Sequence, residues 1–336
     1  FNNSGAVALS NTIFTHNAGE GLSNGGGAFS SGGTLTIADS LFEDNEAGNN
    51  GGGLASGGAV TINKSTFIRN VARGTGGIEH NGGILTLVMS TLAYNRSEAG
   101  AGGLFSNAST LTIVNSSVLG NWSGSAAGGM FIASDLIMSN SAITNNRAAG
   151  NGGGLYHNAG RVTVTNSTIA ENHSGANGGG VFHNHGGFGD DSLDLINVTI
   201  AKNRSANGGG LFNNAGVVNL QNTILGRNAA ADGGPDCSGS GAITSAGNNL
   251  IGNPTACNVV LQPSDLMGDP GLGPFTNNDS PGNAHFPLMP TSRAINAGNK
   301  NACPPDDQIG QRRRQCDIGA IEFIHKLRYD FGPDSR

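Results

Sequence analysis

The chain has 336 residues, of which 57 are Gly and 42 are Asn, with only 12% charged and 5% aromatic residues. Gly and Asn are poor helix formers, which argues against a helical protein, and a 36% hydrophobic content with so little charge argues against disorder. The net charge of −6 argues against a nucleic-acid partner: the one basic cluster, Arg312-Arg313-Arg314, is too short to follow a phosphate backbone.

The chain opens on Phe1 rather than Met, as expected for a processed terminus or a fragment. No apolar run approaches the roughly 18 residues that a membrane-spanning helix requires. By Val7 a repeat is already running. One apolar column is Val7, Leu35, Val60, Leu85, Leu111, Leu136, Val162, Leu193 and Val218. Two residues later comes a second, from Leu9 to Leu220, and five residues after that a third, from Phe14 to Leu225. Asn follows three residues on in every repeat, from Asn17 and Asn45 to Asn203 and Asn228. A Gly-rich stretch and a fourth apolar column complete each unit, as in Gly152-Gly153-Gly154-Leu155.

Alternation such as Thr34-Leu35-Thr36-Ile37 predicts a strand with one buried face. A repeat of about 25 residues holding about three short strands between Gly and Asn corners is too short for a propeller blade and has no helical period. It predicts an all-β fold, a right-handed parallel β-helix of about nine coils over residues 1–228. Like residues then stack on like at about 4.8 Å. The Asn column becomes a ladder of amides at one corner, where Asn also tolerates the left-handed backbone. From residue 229 to 336 the composition shifts: Gly triplets disappear, prolines concentrate between Pro254 and Pro333, and all four cysteines appear. This region is expected to form irregular coils, a cap and a tail. Cys237, Cys257, Cys303 and Cys316 allow three pairings, and proximity favours Cys237–Cys257 and Cys303–Cys316. Disulfides place a chain outside the cytoplasm.

The repeats, such as Leu111-Thr-Ile-Val-Asn-Ser-Ser-Val118, resemble the polymorphic-outer-membrane-protein type of β-helix repeat. The C-terminal motifs Gly234-Pro-Asp-Cys237, Asn248-Asn-Leu-Ile-Gly252, Gly268-Asp-Pro-Gly-Leu-Gly-Pro274, Ser292-Arg-Ala-Ile-Asn-Ala-Gly298 and Cys316-Asp-Ile-Gly-Ala-Ile-Glu-Phe323 resemble the bacterial choice-of-anchor Q family. The resemblance implies a secreted, cell-surface β-helix. It supplies no activity to carry over to particular residues, and the chain stops shortly after Phe323 with no anchor segment.

Three candidate sites emerge. One position after the fourth apolar column stand Phe105, Phe131, Tyr156, Phe182 and Phe212, an outward aromatic stripe for sugar rings or a partner. The plainer reading is that these rings stack on one another. His157 and His183 occupy equivalent positions in neighbouring coils, and His185, Asp190 and Asp191 follow in the longest repeat. Together they suit acid–base work or a metal, against a plain solvated loop. The column from His16 through Asp44, Arg69, Glu171 and Lys202 to Arg227 offers the charge pairs Asp44–Arg69 and Glu171–Lys202. Paired charges count against catalysis there. No cofactor is indicated beyond Ca²⁺ at Asp306, Asp307 and Asp317. Two function classes follow: a non-enzymatic rod on the bacterial cell surface for structure, adhesion or filament assembly, or a secreted polysaccharide lyase or hydrolase. The partner is then a polysaccharide or a second copy stacked head-to-tail, with Phe323 to Phe331 as a docking segment.

Overall fold

The computed structural model describes residues 4–186 and 191–324. The first coil contains β1 (Ala6–Ser10), β2 (Ile13–Thr15), β3 (Ala18–Gly19) and β4 (Ala28–Ser30). Each strand pairs in parallel with its equivalent one coil on, so β1, β2, β3 and β4 begin four sheets of 11, 11, 9 and 9 strands. The result is a parallel β-solenoid of about nine turns. Each coil therefore has four strands where the sequence predicts about three. The extra sheet is the third, whose strands in most coils are only two residues long, too short for alternation to show.

The register is the predicted one. Val7 pairs with Leu35, Leu85 with Leu111, and Leu111 with Leu136. These columns fill a single continuous core with the third and fourth apolar columns. Phe14, Phe42 and Phe67 stack within it, with ring centroids 4.6 and 4.4 Å apart. The Gly triplets follow from how closely the coils approach. Gly152 has φ +71°, and a Cβ on Gly153 or Gly154 would come within 2.4 and 2.7 Å of the carbonyl oxygens of Gly179 and Gly180 in the next coil.

The Asn ladder runs from Asn17 to Asn228. Each Oδ1 accepts from the backbone N–H and the Nδ2 of the Asn one coil back. Each Nδ2 donates to the next Oδ1, at 2.7–3.0 Å along the ladder. From Asn45 onward Nδ2 also donates to a main-chain carbonyl of the preceding coil, as Asn70 does to Phe42 at 2.9 Å. Each such position accepts two bonds and donates two, which a short carboxamide can do and a hydroxyl, with its single donor, cannot. The ladder ends on Asp236, whose Oδ1 accepts from Asn228 at 2.9 Å and whose Oδ2 accepts from the Asn253 N–H at 2.7 Å. The last position only needs to accept, and a carboxylate does so. Burial pushes the Asp236 carboxyl above its ordinary value.

The left-handed residue is not the ladder Asn, as expected from the sequence, but the one before it. His16, Asp44, Arg69, Tyr94, Asn145, Glu171, Lys202 and Arg227 all have φ between +52° and +59°. A second left-handed column, rich in Asn, turns the chain between the first and second sheets at Asn115, Asn140, Asn166, Asn197 and Asn222.

Both disulfides form as predicted, Cys237–Cys257 and Cys303–Cys316. Residues 229–267 add further strands to the coils. Beyond them the chain runs back along the outer side of the second sheet. There Leu272, Phe286, Leu288, Ala294 and Ile318 pack on Ala170, Ala201, Ile224 and Leu250 as a second hydrophobic cluster. The Gly282 N–H donates to Ser117 Oγ at 2.8 Å, and Thr168 Oγ1 donates to Gln308 Oε1 at 2.6 Å. This segment is a lateral clasp spanning several coils.

Candidate functional site

The aromatic stripe lies on the outer face of the fourth sheet, as alternation from Leu104 and Leu155 requires. Phe105, Phe131, Tyr156, Phe182 and Phe212 stack in sequence with centroids 5.2, 4.9, 4.8 and 5.6 Å apart. Their interplanar angles run from 5° to 38°, so each inner ring has both faces against its neighbours. The stripe therefore turns ring edges, not faces, to the outside. Amide ladders border it on both sides. Asn207 donates to Asn177 at 3.1 Å on one side, and Asn214 donates to Asn184 at 2.9 Å on the other.

The histidine cluster is divided by the structure. His157 and His183 are fully buried in the coil interior, not in a surface loop. Leu155-Tyr156-His157 alternates in, out, in, and the same count places His183 inside and brings in His80, which the sequence reading missed. The two rings lie 4.7 Å apart with Nδ1 atoms at 2.8 Å. The carbonyl of Gly160 lies 3.1 Å from His157 Nε2 and can only accept, so that nitrogen carries the proton. His157 Nδ1 then accepts from His183 Nδ1–H, which leaves His183 Nε2 as a buried lone pair without a partner. Burial holds both histidines below their ordinary value, His183 down to about 3 and His80 to about 4. They are neutral core groups at physiological pH and unsuited to exchanging protons with a substrate.

Exposed His185 meets Asp191, whose side chain is buried, with Nδ1 and Oδ2 2.9 Å apart. Asp191 is committed to the backbone, accepting from Gly160 at 2.8 Å and from Gly186 at 3.1 Å. Asp190 lies outside the described residues.

The bend column forms one of its two expected pairs. Arg69 Nε donates to Asp44 Oδ1 at 2.9 Å and a second nitrogen meets Glu43. Glu171 and Lys202 make no ion pair; the Lys202 ammonium instead sits 5.0 Å from the centre of the Phe286 ring, held by the clasp. The Ca²⁺ set does not assemble either. Asp307 accepts from the backbone of Ile309, Gln311 and Glu322, and Asp317 from Asn296 and Phe323. Asp306 faces Arg312 at 3.5 Å. Among the described residues no three His, Cys, Asp or Glu side chains stand where they would hold a metal ion. The Arg312–Arg314 run is no basic patch: Arg313 is buried against Glu322 at 3.3 Å.

A groove of about 280 Å³ lies elsewhere, between the bend column and the third sheet. It is lined by Glu171, His173, Lys202, Arg204 and Arg227. They come from three successive coils, at 171–173, 202–204 and 227, so no linear scan for basic runs finds them. Comparison with protein-family models finds no match, and comparison with curated proteins finds none either.

Proposed function

We propose that the chain is a non-enzymatic, extracellular surface rod with a structural and adhesive role, of the choice-of-anchor Q kind. The observation that carries this reading is the continuity of its outer columns: the same side-chain position recurs at every coil along one face. Such a surface suits a long, repetitive partner, and a polysaccharide is the class favoured, because a sugar ring is about as long as one coil is thick. The aromatic stripe, with its amide borders, is one face for such contacts. His157 and His183 support it from beneath, while Asp191 ties the backbone of Gly160 to that of Gly186. The disulfides support an extracytoplasmic location. Several carboxylates, the groups a lyase or hydrolase needs, are engaged in structure, Asp236 ending the Asn ladder and Asp307 and Asp317 holding the clasp backbone.

Incubation of the purified chain with a polysaccharide panel tests the reading. Retention of the chain by a polysaccharide, with no new reducing ends and no unsaturated products, is expected. Released oligosaccharides would overturn it in favour of a lyase or hydrolase. Sizing the chain in solution reads the remaining assembly idea: a concentration-dependent ladder of species would make a second copy the partner. Antibody labelling of intact source cells checks the location separately.

A further inference from the structure

The outward positions of the third sheet carry Arg96, Trp122, Arg147, His173 and Arg204 in five consecutive coils, paired in register. Arg96, Arg147 and Arg204 are exposed. Among the described residues, none of the three lies within ion-pair distance of a carboxylate, although the chain as a whole is acidic. Neighbouring arginines of the column stand two coils apart, and like charges so placed repel, so the column raises the energy of the free protein and is relieved by a bound anion.

The positions beside this column are shaped. Tyr94 is 56% exposed and its ring lies against Gly120, where a Cβ would come within 2.6 Å of it. Arg96 packs on Trp122 at 4.2 Å from the ring centre. At the far end the groove is built by the clasp. Asp269 binds Arg227 through two contacts of 2.9 and 3.1 Å, and Phe286 holds Lys202. Glu98 and Glu171 are the acidic side chains nearest in sequence to the column, and only Glu171 lines the groove.

We propose that this face binds an anionic linear polysaccharide laid along the rod axis. Its carboxylate or sulfate groups fall on Arg147, Arg204 and Lys202, and a sugar ring rests on Tyr94. The proposal rests on the surface-rod reading above and names the face and ligand class. Coil spacing of about 4.8 Å lets successive sugar units meet successive coils. Burial, then the charges of Arg147 and Arg204, hold His173 below its ordinary value, so at neutral pH it offers an uncharged N–H between two cations. A single-stranded nucleic acid is equally anionic, but it binds through successive bases stacked on aromatic faces; beside this column Arg96 covers the Trp122 ring and leaves Tyr94 as the open one among the described residues.

The test is titration of the purified chain with polygalacturonate, a heparin-type sulfated polysaccharide, neutral dextran and single-stranded DNA of matched length, at low and physiological salt. Binding of either acidic polysaccharide, weakened by salt and absent with dextran, is expected. Arg147→Ala and Arg204→Ala, both at exposed positions, are each expected to weaken it about tenfold, and to reduce its salt dependence. Tyr94→Ala is expected to weaken it with the salt dependence unchanged. Equal binding of dextran, no binding of any polyanion at low salt, tighter binding of DNA, or variants that fold and bind unchanged would each overturn the proposal. The salt series on the unaltered chain keeps the test decisive should a variant misfold. Failure here leaves the intact-cell labelling result standing, so loss of this site and loss of the surface-rod reading are distinguishable.

Discussion

At the scale of single residues, the Asn ladder is polar, buried and satisfied. Asn121 accepts from the N–H and Nδ2 of Asn95, each at 2.9–3.0 Å, and donates to Asn146 and to the Leu92 carbonyl, both at 2.9 Å. Asn121→Ala strands all of these partners away from water, and a loss of about 3–5 kcal/mol is expected by urea unfolding. Asn17→Ala, at an exposed position in the first coil, should cost much less; equal losses at the two sites would sink the ladder argument. The interior histidines set a pH dependence. His80 and His183 titrate at about 4 and about 3 in the fold, with burial the largest cause, against an ordinary 6.5. Above that ordinary value they are neutral whether folded or unfolded. As pH falls below it, the unfolded chain takes up protons that the folded chain refuses, so their contribution to stability is lost between about 6.5 and 3. Asp317 works the other way: burial, its largest cause, raises it to about 6, so its contribution is full below the ordinary carboxylate range and fades as pH rises through 6. With His157 also lowered, the histidines outweigh it, and the melting temperature should fall from pH 7.5 to pH 5. His80→Ser, which matches its neighbours Ser56 and Ser106, should flatten that fall. A melting temperature that rises toward pH 5 would contradict the assignment.

At the scale of the element, stacking of like on like governs both stability and what could be read beforehand. Leu111 is fully buried in the middle of its column, and Leu111→Ala is expected to cost about 2–5 kcal/mol in chemical denaturation. Val7→Ala, in the partly buried first coil, should cost markedly less. The first, second and fourth sheets were legible because five-residue strands and recurring apolar columns leave a period of two. The two-residue strands of the third sheet leave none. The bend was displaced by one residue because its occupants, among them Arg69 and Lys202, are not types that announce a left-handed backbone; the stacked coils impose it. The aromatic stripe was legible as a column and, in its plainer reading, as rings stacked on one another, which is what the structure shows. The basic column escaped because its arginines lie two repeats apart in the chain, and the one contiguous run, Arg312–Arg314, directed attention elsewhere.

At the scale of the molecule, a solenoid is held together by contacts between neighbouring coils alone, so its stability is close to a sum of local terms and its ends open first. The clasp changes this, because it bonds to several coils at once through residues far apart in sequence, such as Thr168 with Gln308 and Asn166 with the Asp306 carbonyl. Its own fold is pinned by Cys303–Cys316 and by the buried pair Arg313–Glu322, with Arg313 also donating to the carbonyls of Gly319 and Ala320 at 3.0 and 3.2 Å. Coils containing Ser117 to Asn248 hydrogen-bond to the clasp, whereas among the described residues no hydrogen bond joins it to the coils containing β1 and its next two partners. Amide hydrogen exchange followed by mass spectrometry should therefore show a gradient: fastest in residues 6–80, slowest in residues 160–226. Arg313→Ala leaves Glu322 as an unpaired buried carboxylate, a loss of about 3–5 kcal/mol. Exchange should then accelerate in residues 117–226 while residues 6–80 keep their rates. If the variant accelerated every coil equally, the rod would be opening as one cooperative unit. The clasp would then be a passenger on the solenoid, not the brace that makes its middle coils the most stable part.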